Sequence, residues 1–122
     1  MTPVADVAFV AAVLELYLDL PDTPLRFTSS DQASARNLRK QQVSLQVIEA
    51  ALLLGSLRRL MRPSSLPPLL RIRSLAYFTP VIDELAHQQV SESYLQYLRL
   101  KLRLLSPHPP AGVQKSTFLK DR

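Results

Sequence analysis

The stretch Ser44 to Met61, SLQVIEAALLLGSLRRLM, limits what this chain can fold into more than any other. Read as a helix, it is apolar on nearly every side. Its polar breaks, Gln46, Glu49 and Ser56, share one narrow face. A helix with so little polar surface has to be covered by its neighbours. The expected fold is therefore all-α: a compact bundle of four to five helices around this central apolar helix. Residues 1–105 should form a single helical domain. Residues 106–122, SPHPPAGVQKSTFLKDR, carry scattered proline and basic residues and are expected to be a disordered basic C-terminal tail. Within that tail, the apolar pair Phe118 and Leu119 is a candidate short docking motif.

The covering helices announce themselves by their caps. Thr2-Pro3 pairs a hydroxyl N-cap with proline at the first helical position, opening a helix to about Asp19. Val7, Val10, Val13, Leu14, Tyr17 and Leu18 form its apolar stripe, widened by Phe9, Leu16 and Leu20. That surface is more than one small core needs, so the first helix is a candidate for docking a protein partner or a second copy. Pro21 and Pro24 mark a turn. Ser29 and Gln32 match a capping box for a helix of about Ser30 to Gln41, with Ala35 and Leu38 inward. Ser44 caps the central helix, and Pro63 to Pro68 reads as a stiff connector without glycine. At Pro80 the chain either kinks or starts afresh with Thr79 as cap. Ser91 caps a last helix whose buried stripe is Tyr94, Leu95, Leu98, Leu102 and Leu105.

Charge is distributed in blocks. The formal net charge is +5, but residues 1–25 hold Asp6, Glu15, Asp19 and Asp22 and no Lys or Arg. Residues 26–73 are strongly basic, 74–98 contain only acids among their charges, and the end is basic again. Either a basic face meets a polyanion, or the blocks neutralise one another within the fold. On the first reading, ten residues are candidates for nucleic-acid binding. They are Arg36, Arg39 and Lys40 on the second helix, Arg58, Arg59 and Arg62 at the end of the third, Arg71 and Arg73 after the connector, and Arg99 and Arg103 on the last. Such a face would track DNA or RNA backbone with little sequence preference. Tyr77, Phe78, Tyr94 and Tyr97 would be the residues able to stack on bases.

Catalytic and metal chemistry have little to stand on. The chain has no cysteine and two histidines, and Gly55 and Gly112 are too isolated to form a phosphate loop. No cofactor or metal is expected, and the chain reads as a non-enzyme. The longest unbroken apolar run, Val7 to Leu14, is far short of the ~20 residues that span a bilayer, so no membrane association is expected and the cytoplasm is the default location.

IRSLAYFTPVIDEL and YLQYLRLKL, with LYLDLPDTP before them, resemble a group of small uncharacterised bacterial proteins carried near transposon or integrative-element genes. The likeness spans roughly Leu14 to Leu105. The order QQVSLQVIEAAL then SLAYFTPVIDEL is also similar to helical accessory segments of phage and plasmid replication proteins. LRKQQVSLQVIEAAL resembles a helix-turn-helix with Gln42 in place of the usual turn glycine. Its second helix offers few polar side chains to base edges, which favours a packing role. The resemblance implies a DNA-associated setting. The leading expectation is a nucleic-acid-associated accessory module of a mobile element. The alternative is a protein-interaction or self-associating helical module that binds no nucleic acid.

Overall fold

A computed structural model describes residues 3–106. Five α-helices, α1 Pro3–Leu18, α2 Ser29–Lys40, α3 Leu45–Leu60, α4 Thr79–Leu85 and α5 Glu92–Leu105, are joined by loops and one 3-10 turn, Leu75–Phe78. Among the described residues there is no strand, and the fold is all-α. The Thr2 cap and the tail from residue 107, with Phe118 and Leu119, lie outside the described residues. Ser106, assigned to the tail from sequence, caps α5 instead, its N–H donating to the Leu102 carbonyl.

The central helix sits where its composition requires. Ser44 Oγ accepts from the Val47 N–H at 3.1 Å and starts α3, and Met61 closes it. Helices α1, α4 and α5 pack on α3, burying Val47, Ile48, Leu52, Leu53 and Leu57. Each large apolar side chain so covered contributes roughly 1.5–3 kcal/mol. Ser56 departs from the expected polar face. It is buried, and its hydroxyl has no hydrogen-bond partner among the described residues. Gly55 lets Phe78 approach the α3 backbone, since a Cβ there would lie 2.8 Å from the ring. An alanine at 55 would force that fully buried ring to move.

Helix α2 packs on α1 and the 3-10 turn rather than pairing with α3. Its capping box is not Ser29 with Gln32 but Thr28 with Asp31. Thr28 Oγ1 accepts from the Asp31 N–H at 3.1 Å, and Asp31 Oδ2 accepts from the Thr28 N–H at 2.9 Å. The other oxygen of Asp31, buried, accepts from the Leu75 N–H at 2.9 Å. One carboxylate thus joins the start of α2 to the 3-10 turn, and this tertiary bond selects the box. Asp31 also faces Tyr17, whose buried phenol is pushed up to about 12, first by burial and then by that negative charge. Gln42 adopts φ 62, a left-handed value that glycine takes most readily.

At Pro80 the expected Thr79 cap is absent: the 3-10 turn Leu75–Phe78 passes directly into a separate helix, with Phe78 helical and no side chain capping the junction. Helix α4 begins at Thr79 with Phe78 in the cap position and Pro80 in the first turn. Of the stripe expected on α5, Leu95, Leu98 and Leu102 are buried, whereas Tyr94 and Leu105 lie at the surface. On α1, Val13, Leu14 and Tyr17 enter the core, whereas Val7 does not.

Candidate functional site

Eight of the ten cationic candidates fall into two groups toward opposite ends of α3. Arg58, Arg59, Arg62, Arg71 and Arg73 lie at its C-terminal end. Arg39 and Lys40 precede its N-terminus, and Arg99 reaches Glu49 in its second turn. Nine residues separate Glu49 from Arg58, about 13 Å along the helix axis. Arg36 lies further back on α2, and Arg103 is exposed near the end of α5.

At the C-terminal end the fold holds its arginines. Arg58 forms a two-pronged pair with Glu84, at 2.9 and 2.8 Å. That hydrogen-bonded contact raises the Arg58 pKa and lowers that of Glu84. The Arg59 side chain, only 10% exposed, donates to Asp22 at 3.0 Å, to the Leu70 carbonyl at 2.8 Å and to the Tyr77 hydroxyl at 3.2 Å. Its guanidinium also lies over the Tyr77 ring at 5.3 Å. Burial lowers the Arg59 pKa, but the bonds to Tyr77 and Asp22 outweigh this and leave it raised. Arg71 approaches Asp22 at 3.8 Å, and Arg62 donates to the Pro67 carbonyl at 3.3 Å. Asp22 itself, at φ 68, accepts from the Ile72 N–H through its carbonyl. These bonds fasten the proline-rich connector to the end of α3 and the α1–α2 turn.

At the other end, Arg39 donates to Asp6 at 2.8 Å and lies over the Phe9 ring at 5.3 Å. Arg99 grips Glu49 at 2.7 and 2.8 Å and Glu92 at 3.3 Å, and the Glu49 bond raises its pKa. Acids of residues 1–25 therefore meet Arg39, Arg59 and Arg71, and acids of residues 74–98 meet Arg58 and Arg99. For these side chains, charge segregation along the sequence becomes neutralisation in space. Among the described residues, Arg36, Lys40, Arg62, Arg73 and Arg103 form no ion pair, Arg62 having the Pro67 carbonyl as its partner. Of the aromatic candidates, Phe78 is a core residue in edge contact with Tyr17, and Tyr77 is engaged by Arg59. Tyr97 accepts from Lys101 at 3.2 Å, and Tyr94 stands at the surface.

A second surface has a different character. Between α1, α2 and the loop before α2 runs a groove of about 460 Å³, floored by Val10, Leu14, Leu18 and Phe27. Asp6 and Glu15 edge it on α1, and Gln32 and Arg36 on α2. Val7, 67% exposed, and exposed Ala11 line it as well, and beside it Val4 is 77% exposed and Ala8 is exposed. Helix α1 thus presents an apolar face outward while giving Val13, Leu14 and Tyr17 to the core. The signal was in the sequence. Val4, Val7, Ala11, Leu14 and Leu18 follow a 3-4-3-4 spacing that starts on the exposed face at Val4, Val7 and Ala11 and enters the core at Leu14.

No group of three or more His, Cys, Asp or Glu side chains among the described residues is placed to hold a metal ion. No helix among them is long and apolar enough to cross a membrane. Neither a family model, nor a curated protein, nor a solved structure matches the chain.

Proposed function

We propose that this chain is a non-enzymatic protein-interaction module that docks its partner through the outer face of α1 and the groove beside it. The observation that carries this reading is the exposure of Val4, Val7 and Ala11 on a helix whose opposite face is already in the core. Groups of apolar side chains left in water mark interaction surfaces more reliably than cations already paired with carboxylates. The test is a photoreactive amino acid in place of Val7, compared with one in place of Gln96 on the exposed side of α5. A discrete protein adduct from position 7 and none from position 96 is the expected result. Absence of a protein adduct at position 7 would overturn the reading.

A second reading, an accessory module that follows a nucleic-acid backbone, draws support from Arg36, Arg39 and Lys40. These three line a hollow between α1 and the α2–α3 turn, and Arg36 and Lys40 carry no ion pair among the described residues. It predicts binding of a labelled 30-base-pair duplex at low salt with a steep salt dependence, read by fluorescence anisotropy. No binding at low salt would remove it.

A further inference from the structure

We infer that the occupant of the α1 groove is α1 of a second copy of this chain, the two helices crossing antiparallel near Ala11. The inference rests on the reading of this face as a docking surface and names what docks there. Val4, Val7 and Ala11 stand exposed at the 3-4 spacing that keeps one line of side chains turned toward a partner helix, and Leu14 and Leu18 continue that line as the lining of the groove. Its middle residue is the small Ala11, which lets two helix backbones approach at the crossing.

Charge selects the partner. The groove carries an acid, Glu15, on its α1 wall and a base, Arg36, on its α2 wall. Asp6 on the same rim is already held by Arg39, whereas Arg36 has no ion pair among the described residues. A surface that pairs with itself about a two-fold axis is matched, because each copy then supplies Glu15 to the other's Arg36. The axial levels agree. The Arg39–Asp6 pair shows that α2 runs back along α1, which places Arg36 near Val10, a residue that shares the groove with it. With the crossing near Ala11, the partner's Glu15 stands opposite Val7. That is about 4.5 Å along the axis from Val10, within reach of an arginine side chain.

The test is sedimentation equilibrium of the full chain across a wide concentration range, with reciprocal charge variants. The wild type is expected to reach twice the 13.7 kDa chain mass. Glu15→Arg alone and Arg36→Glu alone should each weaken self-association at least tenfold, and the double variant should recover most of the loss. Val7→Glu should remain a monomer. A wild-type monomer at every concentration would overturn the inference, as would a dimer indifferent to Val7→Glu or charge variants without mutual rescue. The position-7 photoadduct separates the two claims. An adduct of twice the chain mass supports both. An adduct with a different protein overturns the second copy and leaves the interaction module standing. Capture of the chain's own residues 107–122, or no adduct, overturns both.

Discussion

At the C-terminal end of α3 the fold holds Arg58, Arg59 and Arg62 with carboxylates and carbonyl oxygens, whereas on the outer face of α1 Val4, Val7, Ala8 and Ala11 stand in water. The two regions reverse what their compositions suggest. Arginines in a row invite a search for a polyanion, yet here they fasten loops. Valines and alanines in a row read as core, yet here part of them face outward. The polarity of a residue therefore does not fix its role. What decides is whether the fold already supplies a complementary group.

The comparison breaks most decisively at Arg59. Arg59→Ala removes bonds to Asp22, the Leu70 carbonyl and the Tyr77 hydroxyl together. It should destabilise the protein by about 2 kcal/mol in a denaturant melt, chiefly through the connector. A melt indistinguishable from wild type would mean that these bonds do not hold the connector. Arg99→Ala comes next, at about 1 kcal/mol, because Glu49 is largely covered and loses a two-pronged partner. A double-mutant cycle with Glu49→Ala should show coupling between the two side chains, and additive losses would refute the pair.

Arg58→Ala should cost less than Arg99→Ala, since both partners are about half exposed. Its signature is pH dependence. The folded pKa of Glu84 is lowered from 4.5 by Arg58. The contribution of the pair is therefore present above pH 4.5 and is lost as pH falls through the lowered folded value. Arg58→Ala should flatten that part of the stability profile, and an unchanged acid limb would speak against the pair. Smallest is Val7→Glu, which should shift the intrinsic stability of the monomer by no more than about 0.5 kcal/mol. A large loss there would place Val7 in the core and remove the contrast.

The likeness of LRKQQVSLQVIEAAL to a helix-turn-helix fares in an instructive way. The turn is sharp, and Gln42 takes the left-handed conformation where glycine is usual. Even so, α3 buries most of its length, leaving Leu45 and Gln46 exposed near its start. A helix enclosed by three others has little face to offer a groove in DNA.

Local signals along the chain suffice to place the main helices and their centre. The Ser44 and Ser91 caps, the α3 composition and the leucine stripe of α5 are local or periodic signals, and local signals survive folding. Tertiary structure alone decided which charges met. The bonds from Arg59 to Asp22 and from Arg99 to Glu49 join residues 37 and 50 positions apart. No spacing rule links such residues, because their approach depends on how whole helices pack. The same holds for Asp31, whose choice as capping partner was settled by the Leu75 N–H 44 residues away. The outer seam of α1 falls between the two cases. Its spacing was legible from the start, but only the packing of α2 and α3 against α1 showed that Val4, Val7 and Ala11 face outward while Leu14 enters the core.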